Sequence, residues 1–154
     1  MIYKDSKEDL VKQGLIKACP VDWNAVNSLM KRAHVDLATA QRNEDDDPEC
    51  AHNYAYNAMM RSGLALMFSH GFRPEIKDKH QTIVKFVGST VGEKLNGIVN
   101  DYDFMRRKRH RFIYEPDIPC SLLEAENAIK TAVAFVAMMS DLIKKQKPQI
   151  TMDF

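Results

Sequence analysis

From Asp22 onward the apolar residues return every three or four positions, and that period decides the fold class. A three-to-four recurrence lines one face of an α-helix, whereas a half-buried strand needs strict alternation. No segment sustains such alternation with β-branched and aromatic enrichment, so the sequence predicts an all-α fold. The last stripe is the plainest: Ala125, Ala128, Ile129, Ala132, Val136, Met139 and Ile143 form the inward face of a bundle helix.

Capping and breaking residues divide the pattern into helices. A short first helix is expected from Ser6, where Ser6-x-x-Asp9 offers a capping pattern, to Gly14 or the residues before Pro20. A second follows Asp22 to about Asn43, with Val26, Met30, Ala33, Leu37 and Ala40 on one face. It ends at the acidic cluster Glu44 to Asp47, read as a solvated loop tip. The third runs from about Glu49 to His70, with Gly71 placed for a left-handed cap. Its small stripe of Ala51, Ala55, Ala58, Ser62 and Ala65 allows a neighbouring helix to approach closely. The fourth covers about Lys77 to Val91, burying His80, Ile83, Val84 and Val87. The fifth spans about Glu93 to Tyr114 and stops at Glu115-Pro116, because the residue before proline disfavours the helical region. The last opens on the capping box Ser121 to Glu124 and continues to about Lys147.

The 154 residues suffice for one domain, residues 1–154. With 22 lysines and arginines against 21 aspartates and glutamates, net charge points to no partner, and only local charge informs. Cys19, Cys50 and Cys120 are odd in number and without C-x-x-C spacing, so they read as free thiols of a reducing compartment. Charges at Lys4, Asp5, Lys7, Glu8, Asp9 and Lys12 break any secretory apolar region, and the longest apolar stretch, Ala132 to Met139, falls far short of the ~20 residues that span a bilayer. The expected location is the cytoplasm, away from any membrane.

Arg106-Arg107-Lys108-Arg109-His110-Arg111 places five permanent cations in six positions. Successive helical side chains rotate by about 100°, and Leu95, Ile98, Val99, Tyr102 and Ile113 define the apolar face of this helix. Arg106 and Arg109 fall on that face. Arg107, Lys108 and Arg111 fall outside it, while His110 and Tyr114, four apart, share a shoulder. An inward guanidinium must be paired or must meet an anion. One answer is an internal carboxylate, with Asp36, Asp103 and Glu126 as candidates; the other is a phosphate, which the planar fork of arginine suits. Both hold if a carboxylate orients one arginine and leaves the other to a ligand.

Other chemistry finds little support. Glu49-x-x-His52 has the spacing of half a carboxylate-bridged metal site, but no second Glu-x-x-His exists, so no metal and no cofactor are expected. His70 and His80 lie at helix ends, as packing or capping residues do, and His34 has no partner in sequence. Phosphate-binding glycine loops and the G-x-S-x-G elbow are missing.

Several segments in order nevertheless resemble a known family. They are Asn53-Tyr-Ala-Tyr-Asn57-Ala-Met-Met-Arg61, the His70-Gly-Phe-Arg-Pro74 turn, His80-Gln-Thr-Ile, and Tyr102-Asp-Phe-Met-Arg-Arg-Lys-Arg-His-Arg-Phe-Ile-Tyr-Glu-Pro116. Together, over roughly 29–143, they look like a HEPN domain. The resemblance implies an antiparallel bundle of four or five helices, here with an extra short N-terminal helix, forming a homodimer. Such proteins are often encoded beside a minimal nucleotidyltransferase as toxin and antitoxin, and many are metal-independent ribonucleases. Their motif is an arginine, a polar neighbour and, after four to six intervening residues, a histidine.

Carried onto this chain, Arg109 matches the arginine and His110 the polar neighbour. Tyr114 occupies the first histidine place, and Glu115 and Pro116 the later ones. A tyrosine, titrating near ~10 in water, is a poor base for a ribose 2′-hydroxyl. In a second register Arg106 pairs with His110 one turn away, and a histidine titrates close enough to neutrality to act as a base. The expected catalytic set is thus Arg109, His110 and Tyr114, with Arg106, Tyr102 and Asn57 as substrate contacts and RNA as the substrate. The alternative is a non-catalytic module whose basic helix docks an acidic partner such as a cognate nucleotidyltransferase.

Overall fold

Short polar side chains open most of the helices by accepting hydrogen bonds from the unpaired N–H groups of the first turn. The computed structural model describes residues 5–146 and 153–154. Helix α1 (Lys7–Lys12) begins with a reciprocal capping box between Ser6 and Asp9. In α2 (Trp23–Asn43) the Asp22 carboxylate accepts from the N–H groups of Asn24 and Ala25, and in α3 (Pro48–Ser69) Asp47 accepts from Cys50. Asp47 is therefore a helix cap as well as part of an acidic tip. Helix α4 (Lys79–Val91) follows Asp78, whose φ of 53° is left-handed, and α5 (Asn96–Tyr114) follows a short 3-10 turn over Glu93–Leu95. Helix α6 (Leu122–Gln146) opens with Ser121 Oγ accepting from the Glu124 N–H at 3.1 Å. Its expected end at Lys147 lies outside the described residues.

The all-α reading holds, and the structure adds one small pair of strands to it. Strands β1 (Ile16–Ala18) and β2 (Phe72–Pro74) pair antiparallel, with Ile16 opposite Pro74 and Ala18 opposite Phe72. Three residues are too few to show a strand period, and the pairing joins distant parts of the chain. Gly71, at φ +78°, turns the chain into β2 while its carbonyl accepts from the Cys19 N–H at 2.8 Å.

Helix α3 is the hub of the bundle and packs against α2, α4, α5 and α6. Its stripe of Ala51, Ala55, Ala58, Ser62 and Ala65 is wholly buried, which is what lets neighbours close in from several sides. At Gly63 a Cβ would lie 2.8 Å from Ile83 Cγ2 and 3.6 Å from the Tyr102 ring, so α3, α4 and α5 meet at van der Waals contact there. Asp36, 1% exposed, ties α2 to α3 through Arg61 at 2.7 Å, with Arg32 at 3.4 Å. No described helix is long and apolar enough to cross a membrane.

The expected apolar face of α5 holds only as far as Tyr102. Val99 and Tyr102 are fully buried, but Ile113 is 53% exposed, and burial passes instead to Met105 and Phe112. The stripe that begins as core leaves it after Tyr102, and its last turns carry Arg106 and Arg109 along the wall of an open cleft.

Candidate functional site

The cleft lies where the C-terminal half of α5 faces the N-terminal half of α3 and the first turn of α4. It encloses about 220 Å³ and is lined by Tyr56, His80, Arg106, Arg109 and His110. Each α5 member comes from a row the basic run predicts: Arg106 and Arg109 from the apolar face, His110 from its shoulder.

The two arginines are held differently. Arg106 is clamped by Asp103, one turn back and 4% exposed, through Nε and Nη2 both at 3.0 Å. Arg107 reaches the other oxygen of Asp103 at 3.3 Å. Arg109 has no carboxylate partner among the described residues; its guanidinium sits 5.4 Å from the centre of the Tyr56 ring. A cation over a buried aromatic face gains electrostatic attraction without being neutralised. One arginine is thus oriented by a carboxylate while the other keeps its charge for a guest.

Tyr56 organises the floor. It is fully buried, and its hydroxyl lies 2.8 Å from His80 Nδ1, the two rings nearly parallel at 7°. Burial, against the pull of Arg109 and Arg106, pushes the phenol up to about 12, so it stays protonated. Burial also lowers His80, and Arg109, Lys79 and Arg106 lower it further. Its place at a helix start predicts a packing or capping residue; the structure puts His80 in the cleft. The signal that finds it is spatial, because α4 and α5 meet only in the folded chain.

The remaining predicted residues are distributed around this centre. His110 is exposed, and its ring packs against Tyr114 with centroids 4.5 Å apart, but Tyr114 is 70% exposed and outside the cleft lining. Tyr102 requires correction as a direct contact: it is completely buried beneath Tyr56, edge-on to Phe135 at 4.9 Å, and no guest reaches it. Its hydroxyl finds no hydrogen-bond partner among the described residues, and burial raises it well above the ordinary phenol range. Asn57, half-buried, is turned off the cleft by the single step of about 100° that separates it from Tyr56 on α3. Of the candidate carboxylates Asp103 takes Arg106, whereas Asp36 serves the α2–α3 junction. His52 belongs to the core, edge-on to Phe112 at 5.1 Å.

A larger hollow of about 310 Å³ lies on the other side of α5, against α6. Its cation, Lys108, is already 2.9 Å from Glu124, so it offers an anion little. Lys108 was expected to point outward; pairing with α6 draws it in.

These features define a helical bundle with a cationic, histidine-bearing cleft along the C-terminal half of an arginine-rich helix. The chain belongs to the HEPN family, whose domain model, described as HEPN domain, matches residues 26–142. No curated protein and no solved structure compared with the chain matches it.

Proposed function

We propose that this HEPN protein binds single-stranded RNA through a backbone phosphate held by Arg109 and Arg106. The observation that carries the reading is Arg109: inward-turned, half-buried, stacked on Tyr56 and without a carboxylate among the described residues. A phosphate is the anion its planar fork accepts in two parallel hydrogen bonds, and Arg106 beside it adds a second, pre-oriented donor set. The cleft runs along the C-terminal half of α5, where an unpaired strand can lay its backbone against the two guanidiniums. Titrating the purified protein into a labelled single-stranded RNA at two salt concentrations tests this. Binding that weakens as salt rises supports it, and no binding at low salt contradicts it.

A second reading has its own support. Arg107 and Arg111, at 60% and 49% side-chain exposure, form a solvent-facing row beside the exposed Tyr114, with Arg111 also 2.8 Å from Glu115. That row would suit an acidic protein partner, such as the nucleotidyltransferase of a toxin-antitoxin pair, and a homodimer across α5 would join two such clefts. Substituting Arg107 and Arg111 together separates the readings: it would abolish partner capture while leaving RNA affinity nearly intact.

A further inference from the structure

We propose that the hollow between α5 and α6 binds a small aryl amine, with its ring between the two helices, its ammonium at Asp101 and a ring hydroxyl at His52. This site lies across α5 from the cationic cleft and does not depend on the RNA reading.

Two helical rows form its walls. One runs from Asp101 to Lys108 on α5 and the other from Glu124 to Thr131 on α6, each in steps of three and four residues. Lys108 meets Glu124 at 2.9 Å while Tyr102, nearer the start of α5, meets Phe135 further along α6, so the two helices run antiparallel. The ion pair therefore closes one end of the slot, and Asp101 and Thr131 stand at the other, about 10 Å away at the rise of an α-helix. Phe104, Met105 and Ala128 give the middle an apolar lining. A volume of about 310 Å³ lies at the small end of ligand pockets, which suits one ring with a short chain.

The two ends ask for different groups. The lining carries two carboxylates and one ammonium, and the ammonium of Lys108 is already answered by Glu124. The charge left over is that of Asp101, which is exposed and makes no ion pair with a described residue, so the open end favours a cation. At the closed end His52 borders the hollow from α3, only 2% exposed, and its Nδ1 has no hydrogen-bond partner among the described residues. Burial keeps this imidazole neutral, so Nδ1 is either a donor or an acceptor, and a hydroxyl can answer it in both cases. A buried nitrogen left unpaired costs free energy that such a hydroxyl would recover. Between these ends the ring of Phe104, 54% exposed, is left half-uncovered by the fold, and a guest ring would cover it.

Tyramine carries all three groups at this spacing and serves as the probe. The full chain is titrated with it in calorimetry and in side-chain nitrogen spectra of the histidines. Binding should saturate and move the His52 signals. Phenethylamine, which lacks the hydroxyl, should bind about 3- to 10-fold more weakly and move His52 less. Hydroxyphenylacetate, with an anion in place of the ammonium, should not bind. Asp101→Asn should weaken tyramine about tenfold, the loss of one charged hydrogen bond at an exposed site. Asn127→Trp, which places a large side chain on the wall, should abolish binding. Both positions are exposed, so thermal melts of the two variants should match the wild type. Millimolar tyramine that leaves His52 unmoved, hydroxyphenylacetate that binds as tightly as tyramine, or an Asp101→Asn protein with wild-type affinity overturns the proposal.

Discussion

Replacing Arg109 by alanine separates the cationic role of the cleft from its structural role. Because Arg109 has no carboxylate partner among the described residues, its removal leaves no buried anion stranded. What the fold loses is a cation–aromatic contact on Tyr56, about 0.5–1 kcal/mol, or a melting temperature lower by only about 1–4 °C. What a bound phosphate loses is a charged hydrogen-bonding fork, about 1.5–3 kcal/mol, which is a weakening of roughly 10- to 150-fold. The salt dependence should fall as well, its logarithmic slope shrinking by about 0.7 for one phosphate contact on a single strand. Arg106→Ala should behave differently. It would strip a clamp from Asp103, 4% exposed, and leave that carboxylate to Arg107, so affinity and stability should fall together. Anisotropy titrations of a labelled single-stranded RNA at several salt concentrations, beside thermal melts, read both quantities. An Arg109→Ala protein with wild-type affinity and wild-type salt slope would refute the assignment of the phosphate to this guanidinium.

Three further outcomes concern the frame that holds the cleft. Gly63→Ala would bring a Cβ to 2.8 Å from Ile83 Cγ2, a branched and packed neighbour, so it should cost about 1–3 kcal/mol in urea unfolding. Asp36→Ala would leave Arg61 without its 2.7 Å partner; since Arg61 is a third exposed and partly screened, the loss should be about 2–3 kcal/mol, below that of a fully buried pair. His52, 2% exposed, is lowered by burial from 6.5 to about 4, so between those values the unfolded chain binds a proton that the folded chain refuses. Stability should therefore be complete above 6.5 and fall on acidification towards 4, by about 3 kcal/mol from this residue, and His52→Leu should flatten that limb in urea titrations. His70, also lowered to about 4 by burial and by Lys7, acts in the same direction.

Much of this architecture could be read from local chemistry. Ser6, Asp22 and Ser121 mark helix starts because a cap is a contact between residues two or three apart, fully encoded in the nearby sequence. The inward row of Arg106 and Arg109 followed from the helical period alone. What escaped depends on distant residues. The β1–β2 pair sets Ile16 against Pro74, too short in each strand to show a period. His80 joins the cleft only because α4 brings its first turn to Tyr56 on α3. Lys108 is drawn inward by Glu124 on α6, and Ile113 is left exposed because its stripe has run out of core to face. Tyr102, adjacent in pattern to the arginines, lies one layer too deep to touch a ligand.

Side-chain nitrogen spectra of the five histidines during titration with a short single-stranded RNA test the cleft most directly. The imidazoles of His80 and His110 should shift together and saturate at one dissociation constant, while His34, His52 and His70 stay in place. Saturating RNA that leaves His80 and His110 unmoved, or that moves His34 or His70 in their stead, would contradict a binding site at the end of α5.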